Sequence, residues 1–144
     1  MSWWRLALIS TLFLAEDALA AEPEPQDAYV CKIAYAPHRH VGETVVFRGE
    51  YLTDHIERSL VRPIGCDRGI GLGSMTPEAE KLLVEADPPT WRPGVRRVVA
   101  VFKAQLVQDE PNGFEFFHDT GVRLNVLKIG ELRTIETAPA AAPR

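Results

Sequence analysis

After its first twenty residues this sequence has no apolar run long enough to cross a bilayer as a helix. It also has no basic surplus: 16 Lys and Arg stand against 20 Asp and Glu, a formal charge of -4. Nucleic-acid binders normally concentrate Lys and Arg on one face, so no nucleic-acid partner is expected. The glycine-rich stretch Pro63–Gly73 lacks both the preceding βαβ strand and the following Lys of a nucleotide loop, so its glycines read as turn formers. No Gly-x-Ser-x-Gly elbow surrounds Ser59, which leaves the hydrolase residue types Asp54, His55 and Ser59 without the context a triad needs. Cysteine is scarce, with only Cys31 and Cys66.

What is present begins with a leader. Met1–Arg5 carries one positive charge, Leu6–Ala15 is apolar, and Ala18-Leu19-Ala20 places small residues where a signal peptidase reads them. Residues 1–20 are therefore predicted to be a secretory signal peptide, with cleavage after Ala20 or Ala21 and a periplasmic or secreted product. An uncleaved amphipathic anchor is the competing reading. In an exported chain an even cysteine count points to one disulfide, Cys31 to Cys66, against the alternative of two separately buried thiols.

The longest clean two-residue period is Arg96–Val107. Val98, Ala100, Phe102, Ala104 and Leu106 share one face of it, and Val99, Val101, Lys103, Gln105 and Val107 the other. This pattern predicts a central strand. Ahead of it, residues 21–28 read as a disordered acidic spacer. Tyr29–Ala36 is expected to be a strand with Tyr29, Cys31, Ile33 and Tyr35 on one side. Thr44–Leu52 is a strand with Val45, Phe47, Gly49 and Tyr51 inward, Gly49 marking a bulge or bend. His55–Arg62 returns as a hairpin, and a short strand falls near Ile70–Leu72.

Thr76–Ala86 is the one expected helix. Thr76 suits the N-cap and Pro77 the first turn, while Ala79, Leu82, Leu83 and Ala86 follow the spacing of a buried face. Val122–Leu132 is the last strand, with a register break at Leu127. Residues 134–144 form a disordered tail. From Thr44 the order is β-β-β-α-β-β, which is that of an OB-fold-like five-stranded Greek-key barrel; a small β-sandwich or a meander plus helix is the rival architecture. A single domain, residues 29–133, is expected.

Arg48-Gly49-x-x-x-Thr53-Asp54, then Cys66, an Arg97-containing strand and a Gly-aromatic loop before the last strand resemble a group of small exported proteobacterial proteins of unassigned function. The element order is more distantly similar to periplasmic bacterial OB-fold proteins, a ligand-binding group. That resemblance implies a fold and a binding role but no catalytic residue.

Candidate sites follow from the expected outer face and loops. Arg48, Glu50, Arg58 and Arg62 would share an outer face, with Asp54 in the adjoining turn and His55 at the start of the returning strand. Phe117 and His118, with Phe114 and Phe116, would form an aromatic loop at the mouth, either as a lid or as core plugs. His38 and His40 form an incomplete metal set, so no metal or cofactor is expected. The sequence thus predicts a monomeric, non-catalytic exported binding or accessory protein for a small polar ligand or a partner protein. The alternatives are an envelope-associated structural protein and a hydrolase using Asp54 and His55.

Overall fold

The computed structural model describes residues 24–53, 59–88, 96–109 and 121–136. The predicted leader and most of the tail lie outside them. Two α-helices, α1 (Asp27–Tyr35) and α2 (Pro77–Ala86), accompany five strands: β1 (Thr44–Thr53), β2 (Ser59–Pro63), β3 (Ile70–Met75), β4 (Arg96–Gln108) and β5 (Val122–Glu136). A 3-10 turn, Pro37–His40, links α1 to β1. The chain is mainly β. Its mixed sheet runs β1-β2-β3-β5-β4 and closes into a ring through antiparallel pairing of β4 with β1. Among the described residues only β3 and β5 run parallel. From Thr44 onward the expected element order is the observed one.

Alternation along β4 sets the interior. Val98, Ala100, Phe102, Ala104 and Leu106 are all buried, and they meet Val45 and Phe47 of β1, Val61 of β2, Ile70 of β3 and Val122, Leu124 and Val126 of β5. Helix α2 adds Ala79 and Leu83 to this cluster. Its N-terminus forms as its residues dictate: the Thr76 hydroxyl accepts the Ala79 N–H at 3.3 Å, Pro77 needs no donor there, and Glu78 and Glu80 lie at the positive end of the helix dipole. Leu82, expected on the buried face, is 40% exposed. The helix is only ten residues long, and a stripe as narrow as Ala79–Leu83 suffices to dock it on β5.

Tyr29–Ala36 is not a strand, so the described residues hold two α-helices where one was expected. Val30, Ile33 and Ala34, at helical spacing, are buried, whereas Tyr29 and Tyr35, expected on the same side as Ile33, are 41% and 53% exposed. Nine residues satisfy both periods, and packing against β1 and β2 selects the helical one. Asp27 and Ala28, assigned to the spacer, belong to this helix, and Gln26 N–H donates to Val46 O at 2.8 Å.

Gly49 is not a bulge, because its pairing with Ala100 and Pro63 is continuous. It is glycine because a Cβ would run into Val61 Cγ1 and approach the Phe47 ring to 3.0 Å. The last strand also extends beyond the expected end, to Glu136, because β4 pairs with it as far as Arg96.

The break at Leu127 is real. Lys103 pairs with Lys128 and Ala104 with Val126, so Leu127 is the extra residue of a bulge. α2 anchors this bulge: the Thr76 hydroxyl donates to Leu127 O at 3.4 Å and Thr76 N–H to Val126 O at 3.1 Å. A second shift between Val99 and Val101 places Glu131 at φ 48.

The expected disulfide is present. Cys31 of α1 joins Cys66 of the β2–β3 loop, with Cα atoms 5.6 Å apart.

Candidate functional site

Outward residues of β1, β4 and β5 form a lattice. Val46, Lys103 and Lys128 make one row, Arg48, Val101 and Gly130 the next, and Glu50, Val99 and Arg133 the third. Rows on one face repeat every two residues, about 6.6 Å along a strand. Two charged clusters and one groove lie on this face.

The first cluster ties the N-terminus to β1. Asp27 accepts the Arg48 backbone N–H at 2.7 Å through Oδ1 and its Nε–H at 2.9 Å through Oδ2. The Arg48 guanidinium is thus half engaged in holding α1, although its side chain is 59% exposed.

The second cluster is centred on Glu50, whose side chain is only 6% exposed. Arg97 donates to both of its oxygens, at 2.8 and 3.0 Å, and Arg62 donates to Oε2 at 3.0 Å. A carboxylate this far out of water needs such partners, and a two-pronged Arg supplies them best. Glu50 and Arg62, expected on a ligand face, share that face but bind each other.

Arg97 beside Glu50, helped by Arg62, holds the Glu50 carboxyl below its ordinary value of 4.5. The pairing therefore stabilises the fold fully above the unfolded value and is lost as pH falls through the lower folded one. Replacing Glu50→Gln removes a carboxylate that must be protonated. In urea titrations from about pH 6 to about pH 3, stability of the variant should fall less steeply than that of the parent. Equal acid slopes would show that Glu50 carries none of this dependence.

The groove lies between these clusters and the Lys end of the face. Its floor is Val46, Val101 and Gly130, with Pro25 on one side, and its volume is about 260 Å³. A separate, smaller hollow of about 150 Å³ lies over Val99 and Val101, beside Arg48 and Arg133. Gly130 makes the opening: a Cβ there would meet nothing within 4 Å. Lys103 and Lys128 stand on the rim, with Glu24 and Glu131 as the acidic members.

No protein-family model, curated protein or solved structure matches this chain. Function must therefore be argued from the face itself.

Asp54, His55 and Arg58 lie outside the described residues, as do Phe117 and His118. The Ser59 hydroxyl donates to Thr53 Oγ1 at 2.9 Å across the β1–β2 hairpin. His40 Nδ1 is 3.0 Å from Glu43 Oε1, and the Tyr29 hydroxyl donates to Glu43 Oε2 at 2.8 Å. These two contacts lower the Glu43 carboxyl from its ordinary value, His40 contributing most. Among the described residues no group of three His, Cys, Asp or Glu side chains is placed to share a metal ion, and no helix is long and apolar enough to cross a membrane.

Sequence reasoning missed Lys103, Lys128, Gly130 and Arg133 as site residues. One signal was available: Lys103 follows Val99 and Val101 on the outward row of β4.

Proposed function

We propose that this chain is an exported, monomeric, non-catalytic binding protein, an OB-like barrel that holds a small ligand on the outward face of β1, β4 and β5. The observation that carries this reading is the groove over Val46, Val101 and Gly130, open because Gly130 has no side chain. The closed ring and the β-β-β-α-β-β order from Thr44 support the OB-like assignment, in which an outer sheet face is the usual ligand surface. The Cys31–Cys66 disulfide supports export to an oxidising compartment, together with the leader pattern. Membership of the small exported proteobacterial group is part of the same proposal. Ser59 pins a hairpin through Thr53, which favours a binding role over a hydrolase.

A thermal-shift panel of small polar and charged compounds on the oxidised protein tests this. A ligand at a hundredfold over its dissociation constant adds about 2.7 kcal/mol to stability. A Cβ at residue 130 meets nothing within 4 Å, so Gly130→Leu, whose side chain enters the groove, should fold with a melting temperature close to the parent's and lose that response. A panel with no responder, or a responder that Gly130→Leu still binds equally well, overturns the reading.

A further inference from the structure

We propose that the Cys31–Cys66 bridge exchanges reversibly with a dithiol while the ring stays folded, and that Tyr35, Asp67 and Arg68 form a latch over the bridge that sets how readily it opens. This redox site lies apart from the groove, so its failure leaves the binding reading untouched.

Three observations carry it. The first is position. The bridge joins α1 to the loop between β2 and β3, and neither cysteine belongs to a strand. The strand pairings that close the ring include neither of them. α1 also has ties of its own to β1: Asp27 holds Arg48, and Gln26 N–H donates to Val46 O. Val30 and Ile33 are fully buried beneath it. Opening the bridge therefore leaves the ring closed and the two cysteines near each other.

The second is access. Cys31 is partly exposed, whereas Cys66 is buried. A thiolate arriving from solvent thus meets Cys31 first. Its attack on Cys31 Sγ breaks the S–S bond, forms a mixed disulfide and expels Cys66 as a thiolate, which takes up a proton. The second thiol of the dithiol then displaces Cys31, which is protonated in turn. The dithiol leaves as its own disulfide, having passed two electrons and two protons to the cysteines.

The third is the latch. Tyr35 lies one helical turn beyond Cys31 on the same side of α1, and Asp67 and Arg68 directly follow Cys66. The Tyr35 hydroxyl donates to the Asp67 carboxylate, and the Arg68 guanidinium lies 4.7 Å from the centre of the Tyr35 ring. The latch therefore spans the same two elements as the bridge, beside it. All three residues are exposed, so they add little to the core. The bond to Asp67 raises the Tyr35 hydroxyl above its ordinary value of 10.0, so it stays a donor at the pH where thiols exchange. In the oxidised protein the latch narrows the approach to Cys31. In the reduced protein it holds the two thiols together for reclosure.

The test follows reduction of the folded, oxidised protein by dithiothreitol, with acid quench, alkylation and intact mass. The rate for the parent should rise linearly with dithiothreitol, without a plateau. Tyr35→Ala should speed reduction about fivefold, and Tyr35→Phe, which keeps the ring under Arg68, by less. Tyr35→Ala should also shift the equilibrium with glutathione towards the thiols by about threefold. Phe102→Leu weakens the ring interior without touching the latch and should leave the reduction rate unchanged. In the reduced parent the amide signals of Phe102 and Leu124 should stay in place while those of α1 and the Cys66 loop move, and oxidised glutathione should restore the starting spectrum.

A plateau in the rate, or a Phe102→Leu rate as fast as that of Tyr35→Ala, would show that the bridge opens only when the ring unfolds, and overturns the proposal. Equal rates for Tyr35→Ala and the parent remove the latch, and a reduced protein that glutathione cannot reclose removes the reversibility.

Discussion

Phe102→Ala should lower the unfolding free energy by about 3–5 kcal/mol, the range for deleting a buried aromatic side chain. Phe102 is fully buried at the middle of β4, the strand that pairs with both β1 and β5. It faces Phe47 directly across β1, with ring centroids 5.9 Å apart at 29°, and Ile129 across β5. The lost ring therefore removes apolar burial from the place where the sheet closes on itself. Neighbouring side chains cannot collapse into the space, because their backbones are held by ladders on both sides of β4. Domains of this size are stable by about 5–15 kcal/mol, so this one change is a large part of the whole. Equilibrium urea denaturation of parent and variant measures it. Phe102→Leu keeps most of the volume and should lose less than half as much. A Phe102→Ala loss under about 1 kcal/mol would mean that the ring interior is not packed as described.

Removing the disulfide should have an effect of similar size. Cys31 and Cys66 are separated by 35 residues, and the entropy of closing such a loop in the unfolded chain is worth about 3–4 kcal/mol. The double variant Cys31→Ala, Cys66→Ala should show that loss in denaturation, and reduction of the parent should approach it.

The loss should also be uneven. α1 is joined to the ring by the disulfide, by the Asp27–Arg48 pair, by the Gln26–Val46 backbone bond and by the burial of Val30, Ile33 and Ala34. β4 and β5 make no use of the crosslink. Hydrogen exchange should therefore speed up first at Val30 and Ile33 and last at Phe102 and Leu124. Uniform acceleration would indicate that the crosslink supports the entire ring, and unchanged denaturation that it adds nothing the packing does not already supply.

The two changes probe opposite kinds of stabilisation. Phe102 acts on the folded state through contact, and the disulfide acts chiefly on the unfolded state through chain freedom. Their effects should add within about 0.5 kcal/mol if the two sites share no partners.

Much of this fold was legible along the chain because its signals are local. The inward set of β4 follows from strict alternation. The start of α2 follows from Thr76 and Pro77, and the bulge at Leu127 from a break in a two-residue period. Local signals failed where a short segment satisfied two periods. Asp27–Tyr35 alternates and also repeats helically, and only the buried positions of Val30, Ile33 and Ala34 decide between them. At Gly49 the bulge half of the expectation failed, since what the glycine avoids is Val61, twelve positions away in another strand.

The candidate face was less legible still, because register is not a local property. Residue order was enough to show which side chains of β4 point inward, that Lys103 points outward, and that two cysteines were available to pair. Tertiary structure alone decided that Lys103 stands opposite Lys128, that Arg97 reaches Glu50 from 47 residues away, and that Gly130 lies open beside Val101. The reason is geometric. Alternation is set by the backbone of each strand alone, whereas a one-residue bulge in β5 determines which of its residues meets which residue of β4.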